Sequence, residues 1–468
     1  MAEQQEPLWD RTRKLIREYW PLGEPVALKD VIGINLPKSD IDKVKKKINT
    51  CLKGKGGEVS ARARAAELGE AYLVLNANGR RRFLTILAEE YDVDNEAVEA
   101  AILARREAED PDDQRKLTLE LRNLLEPPRA KLLRQFNGLQ GGVKFLVDLR
   151  AELMGWARDH HELKDLDKDV YRLLAGWFDI GFLDLQQITW NSSAALLEKF
   201  IRYEAVHAIR SWKDLKNRLE EDRRCYAFFH PSLPDEPLIF VEVALVNGIA
   251  TNIHTLLDEK APSTDPKKVD TAIFYSISNC QEGLAGVSFG NFLIKRVVAN
   301  LVAELPGLKN FATLSPIPGF ASWLNKQVES EDHKTSETST AKNISEVVEK
   351  LSECDDPAEL IEATEGKNRD NESAKQLQQS LLSLCSRYLL GAKRGDQVED
   401  RVAHFHLTNG ARLQQINWAA NLSTQGLEQS YGMMVNYLYD LSSIERQHEA
   451  YTSSTKISAS PAVKKLRK

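Results

Sequence analysis

Near residue 185 the hydrophobic pattern of this chain changes period, and that change limits the folds open to it. Before it, apolar residues recur at three and four: Leu117, Leu121, Leu124 and Leu125 in one stretch, Phe83, Ile86, Leu87 and Tyr91 in another. Asp40 after Ser39, and Asp94 with Asn95, stand where helix caps are expected. GKGG (54–57), EDPDD (109–113), EPP (126–128) and GLQGG (138–142) cut the region into helices of ordinary length. Residues 1–185 therefore read as an all-helical domain whose expected work is support and oligomerisation. After ITWNSS (188–193) the pattern changes to CYAFFH (225–230), PLIFVEVALV (237–246) and TAIFYSISNC (271–280). These runs are short, β-branched and aromatic, so residues 186–468 read as a second, α/β domain and the chain as α+β.

Within that second domain, QEGLAGVSFG (281–290) follows the third strand and leads into NFLIKRVVANLVAEL (291–305), whose Phe292, Leu293, Val297, Leu301 and Leu305 keep helical spacing. The order is strand, glycine loop, helix. Residues 325–380 are mostly polar, with one amphipathic stretch at ISEVVEKLSEC, and read as a partly mobile insertion. A helix ending at LLSLCSRYLL, then VAHFHLTNGARLQQINW (402–418) and the strand-like YGMMVNYLYDL (431–441), resume the fold.

A net charge of -6, from 63 basic and 69 acidic residues without a dominant block, argues against nucleic acid or an anionic membrane as partner. Five cysteines at scattered spacings, with no CxxC pair, suggest neither a disulfide framework nor structural zinc, and fit a reducing cytosol. No signal-like or membrane-spanning apolar run is present, so the expected place is the cytoplasm.

Three features carry chemistry. Gly283, Gly286 and Gly290, between a strand and a helix, suit close approach of an anion such as pyrophosphate, and equally suit a plain tight connection; the spacing is neither GxGxxG nor a P-loop. His404 and His406 flank Phe405, so an extended segment would turn both rings to one face. No HExxH or Cys/His cluster supplies further donors, so no metal site is expected, and each ring is a core histidine or a general acid/base. In FATLSPIPGF (311–320), Pro316 and Pro318 restrict the chain around Ser315, as a turn after a buried strand or as a rigid mount for a reactive hydroxyl. No GxSxG elbow surrounds it. Tyr437 and Tyr439 share a strand face, with core packing the expected role of at least one.

Together these segments resemble the malonyl-CoA decarboxylase family. The resemblance runs in order through RSWKDLKNRLEEDRRCYAFFHPSLPDEPL, AIFYSISNCQEGLAGVSFGNFLIKRVV, LSPIPGF, HFHLTNGARLQQINW and YGMMVNYLY, over most of residues 185–445. It implies a catalytic domain with a mixed central sheet and the GNAT acetyltransferase fold, and a helical domain that builds a dimer or tetramer. It also implies decarboxylation of malonyl-CoA to acetyl-CoA without an added cofactor, coenzyme A being part of the substrate. Carried over by motif, the catalytic serine falls on Ser315, the catalytic histidine on His406, with His404 behind it, and the active-site tyrosine on Tyr439. The coenzyme A pyrophosphate loop falls on Gln281, Gly283, Leu284, Ala285, Gly286, Ser288 and Gly290, mainly the amides of Gly283 to Gly286. Where some members carry a glutamate, this chain has Ser288. Loss of carbon dioxide leaves an enolate, which needs donors at the thioester oxygen and a proton at the α-carbon, the latter assigned to His406 hydrogen-bonded to Ser315. Two other readings stand beside this one: a coenzyme A-dependent N-acetyltransferase, and a non-catalytic acyl-CoA sensor.

Overall fold

A computed structural model describes residues 27–53, 58–139, 141–178, 180–287, 292–331 and 372–467. The GKGG stretch, Ser288, Gly290 and the core of the polar insertion, ISEVVEKLSEC included, lie outside them. The chain divides into two compact units. One comprises residues 1–183 with 230–236 and 281–288; the other comprises 184–229, 237–280 and 289–468.

The first unit is helical wherever the period of three and four runs. Phe83, Leu84, Ile86 and Leu87 are buried on the helix Ala77–Glu90. Asp94 caps the next helix, Asn95–Glu107, by accepting from the Ala97 amide. Asp110 does the same for Pro111–Leu124, where Pro111 opens the helix. Asp40 is not a cap. The helix Lys38–Leu52 begins behind Pro37, and Asp40, inside its first turn, accepts from the Gly33 amide at 2.8 Å. The helix Pro111–Leu124 buries none of its side chains, and Leu103, Leu119 and Leu125 are exposed.

The second unit is built on a mixed sheet. Its strands are β1 (Asp184–Ile188), β2 (Arg223–Phe229), β3 (Ile239–Val246), β4 (Thr271–Asn279), β5 (Asn310–Thr313) and β6 (Ser315–Pro316). After a short hairpin of β7 (Lys393–Arg394) and β8 (Gln397–Val398) come β9 (Arg412–Asn417) and β10 (Met434–Leu438). The order is β1-β2-β3-β4-β5-β10-β6, with β9 on β10. The β4–β5 pair is parallel and the others antiparallel. The parallel step follows from the helix Phe292–Glu304, which crosses over between β4 and β5. β1 escapes notice in the sequence because DLQQI is a polar edge strand with only Ile188 buried.

One face of this sheet buries a charged network. Glu242 of β3 meets Arg218 at 3.3 Å and Tyr275 Oη at 2.7 Å, while Arg218 also donates to Asp214 at 2.8 Å. Glu204 accepts from the His207 amide at 2.7 Å and from Ser276 and Ser278. Burial raises both carboxyls. At Glu204 hydrogen bonds from Glu242, the His207 amide and Ser276 outweigh it, holding the group below the usual range, whereas Glu242 stays well above it. The two acids share one proton, carried by Glu242.

Candidate active site

Ser315 opens the two-residue strand β6. β6 pairs with β10 through Ser315↔Val435 and Met434↔Pro316, and Leu314 reaches across to the Phe274 carbonyl at 3.0 Å. Pro316 and Pro318 then turn the chain toward Gly319, whose amide lies 3.4 Å from Asp400 Oδ2. Gly319 is required there, because a Cβ would overlap the Tyr388 hydroxyl. Asp400 also accepts from the amides of Val402 and Ala403 at 3.0 and 2.9 Å, capping the helix Arg401–Thr408 that carries His406. One buried carboxylate thus ties the turn behind Ser315 to the helix in front of His406. Its N-cap spacing was readable in EDRVAHFH, but its second attachment was not.

VAHFHL is a helix, not an extended segment, so its two histidines point about 200° apart. His404 is half-buried, with Nδ1 2.9 Å from Tyr451 Oη, and has no described bond to Ser315 or His406. His406 is buried. Its Nε2 lies 3.0 Å from Ser315 Oγ and its Nδ1 2.7 Å from Tyr439 Oη, so three side chains separated by up to 124 residues form one hydrogen-bonded row. Tyr437 stacks on the imidazole at a centroid distance of 4.5 Å and 25°, while its own hydroxyl is buried without a partner among the described residues.

Burial pushes the His406 pKa down to about 3, so the ring is neutral across the physiological range rather than poised near pH 7. Burial likewise holds Tyr439 well above the ordinary phenol value. The row carries no formal charge. It continues past Ser315, whose Oγ donates to Thr313 Oγ1 at 2.8 Å. Thr313 was missed in the sequence. The available signal was its spacing of two from Ser315 in a near-extended segment, which turns both hydroxyls to one side.

The glycine loop is shaped within the helical unit. Gly283 packs so closely on the helix Gly142–Trp156 that a Cβ would overlap the Val147 carbonyl. Arg150 of that helix donates to the carbonyls of Gly283 and Ala285 at 2.7 and 2.8 Å, and is held in turn by Asp167 at 3.0 Å. The amides of Leu284 and Ala285 are used inside the turn, donating to Gln281 and Glu282. Gly286, at φ +82°, keeps an amide with no hydrogen bond among the described residues, and its carbonyl accepts from Tyr171 Oη at 3.3 Å. Gln281 is buried at the start of the turn.

Among the described residues no group of three His, Cys, Asp or Glu side chains is arranged to hold a metal, and no helix is long and apolar enough to cross a membrane. Residues 181–468 match the family model of the malonyl-CoA decarboxylase C-terminal domain, and residues 91–178 that of the N-terminal domain. The chain belongs to the malonyl-CoA decarboxylase family. It is 38% identical over 420 residues to the mitochondrial malonyl-CoA decarboxylase of Anser anser anser, covering 86% of this chain and 83% of that one. With the Rattus norvegicus mitochondrial enzyme it shares 39% over 360 residues, 74% and 72% of the two chains. The crystal structure of malonyl-CoA decarboxylase from Rhodopseudomonas palustris aligns over 91% of this chain and 99% of its own, with a TM-score of 0.82 at 41% identity. That from Agrobacterium vitis gives 0.80 at 39%, over 91% and 100%. Residues 181–468, the span of the C-terminal family model, contain the whole row from Thr313 to Tyr439.

Proposed function

We propose that this chain converts malonyl-CoA to acetyl-CoA and carbon dioxide, without a metal or an added cofactor, at Ser315, His406 and Tyr439. The observation that carries the reading is the buried, uncharged row of hydroxyl, imidazole and phenol in a member of this family. A malonyl carboxylate brought beside it loses water and gains no countercharge from the row, which favours its departure as neutral carbon dioxide. The enolate left behind spreads its charge onto the thioester oxygen, where a fixed hydroxyl donor stabilises it more than it stabilised the thioester carbonyl. Protonation of the α-carbon then draws on the row, and water restores the proton. A neutral imidazole suffices for this, since a thioester enolate is a stronger base than a hydroxyl or imidazole N–H needs.

Gln281 to Gly290 is the loop we assign to the coenzyme A pyrophosphate, supported by the Gly286 amide, which has no hydrogen bond among the described residues. We assign residues 1–185 to a helical oligomerisation domain and 186–468 to the catalytic one, the exposed Leu103, Leu119 and Leu125 supporting self-association as a dimer or tetramer. Buried thiols at Cys51, Cys225 and Cys385 suit a reducing compartment, and we place the reaction in the cytoplasm.

The test is to mix purified protein with malonyl-CoA alone and follow acetyl-CoA and carbon dioxide. Stoichiometric release of both is expected. Intact malonyl-CoA that binds without turnover would make the chain a sensor, and consumption only on addition of an amine would make it a transferase. A malonyl thioester of pantetheine should show a much higher KM than the full substrate; equal KM values would remove the pyrophosphate loop.

A further inference from the structure

We propose that Thr313 is a positioning residue that sets the direction of the Ser315–His406–Tyr439 proton row, committing Ser315 to receive a proton from His406 rather than give one to it. The proposal rests on the reading that Ser315 and His406 do the chemistry.

Thr313 is fully buried at the end of β5. Its Oγ1 accepts from the Tyr437 amide at 3.1 Å and from Ser315 Oγ at 2.8 Å, while its carbonyl accepts from Asn436 Nδ2 at 2.7 Å. The Tyr437 amide, at a register shift of β10 against β9, can only donate and fills one lone pair of the threonine oxygen, and the 2.8 Å bond runs from Ser315 Oγ as donor into the other. Ser315 has a single hydroxyl proton, and it points to Thr313. The bond of 3.0 Å between Ser315 Oγ and His406 Nε2 then needs its proton from the ring, which makes His406 the Nε2–H tautomer. A neutral ring protonated at Nε2 has a bare Nδ1, and Tyr439 Oη donates to it over 2.7 Å. Every proton in the row therefore points from Tyr439 toward Thr313.

This polarity separates two chemistries that the same three side chains serve. A serine that donates to a histidine is a nucleophile awaiting a base. A serine that receives from Nε2–H, with its own proton parked on a neighbouring oxygen, is a proton donor with a refill behind it. When the enolate forms, the Ser315 proton moves from Thr313 to the α-carbon, the Nε2 proton replaces it on Oγ, the Tyr439 proton passes to Nδ1, and the one solvent proton that loss of carbon dioxide from a carboxylate consumes is taken up by Tyr439. No acyl bond to Ser315 forms.

A fluorophosphonate reads the polarity directly, because it forms a P–O bond with a serine only when a base takes the Oγ proton as fluoride leaves. The wild-type chain and Thr313→Ser, which keeps the acceptor, are expected to resist labelling at Ser315, checked by mass spectrometry against Ser315→Ala. Thr313→Val releases the Ser315 proton toward His406, so it should label at Ser315 and lose about tenfold or more in kcat with little change in KM. Wild-type labelling as fast as in the valine variant would overturn the proposal, as would equal loss of kcat in the serine and valine variants. Should the valine variant not fold, 15N NMR of histidine-labelled wild-type protein decides, with the His406 signals assigned by their loss in His406→Gln. An Nδ1–H tautomer overturns the proposal and an Nε2–H tautomer supports it. A wild-type chain that leaves malonyl-CoA intact, yet shows this labelling pattern and tautomer, refutes the decarboxylase reading and leaves the role of Thr313 standing.

Discussion

The second unit buries two polar clusters on one sheet, and they are built on opposite principles. Around Glu204 and Glu242 formal charge is buried, with Glu204 ionised, Arg218 bonded to Asp214 and to the protonated Glu242, and the remaining lone pairs covered by serine hydroxyls, a tyrosine and backbone amides. Around Ser315 and His406 each group is neutral, and one hydroxyl, that of Tyr437, is left without a partner among the described residues. A charged network in low dielectric is stable only when complete, so it resists change. A neutral row tolerates a brief charge nearby and can shift protons along its length. The first suits a strut and the second suits chemistry on an anion that must become neutral.

The strongest way to break this contrast is to delete the cation. Arg218→Leu leaves buried carboxylates unpaired and should lower unfolding free energy by about 3–5 kcal/mol in urea titration, with kcat per folded molecule little changed. Loss of activity without loss of stability would mean that the network belongs to the site. Ser315→Ala and His406→Ala should do the reverse, lowering kcat by about 10² or more while the urea midpoint moves little. Near-wild-type turnover in both would remove the row from the mechanism.

Acid sharpens the contrast further. The His406 ring titrates near 3 in the folded chain against about 6.5 when unfolded, so below pH 6.5 the unfolded chain binds a proton the folded ring refuses. Its contribution to stability is complete above pH 6.5 and is lost as pH falls from there toward 3, at up to about 1.4 kcal/mol per pH unit. As pH falls across that window the unfolding free energy of wild type should drop relative to that of His406→Gln, and a constant difference would place the ring in a wetter setting than the structure gives it. The smallest effect is expected from Glu242→Gln. Because Glu242 already carries the shared proton, an amide imitates it, and the change should cost under about 1 kcal/mol, against several for Glu204→Gln, which removes the ionised partner.

Much of the architecture was legible because periodicity reports burial directly. β2, β3, β4 and the helix Phe292–Glu304 lie where the apolar runs put them, the helix Ala77–Glu90 follows its predicted stripe, and Asp94 caps Asn95–Glu107 as expected. Misreadings came where local pattern was ambiguous. VAHFHL alternates for only a few residues, and Asp400, by capping the first amides, decides for a helix. Asp40 has a cap's composition but lies inside the turn, because Pro37 already supplies the start. The polar edge strand β1 carries almost no hydrophobic signal.

The motifs in the sequence were enough to single out Ser315, His406 and Tyr439, because family resemblance lives in short ordered segments. What the residues could not reveal by themselves is that a hydroxyl two positions upstream, on Thr313, takes the Ser315 proton, or that Tyr437 stacks on the imidazole while Tyr439 bonds to it. Nor could they reveal that His406 is neutral. Direction along a hydrogen-bonded row and the pKa of a ring depend on which groups meet it and how much water is excluded. Those quantities are properties of segments more than a hundred residues apart in the chain, brought together only by the sheet and the helix cap, so the tertiary structure alone decides them.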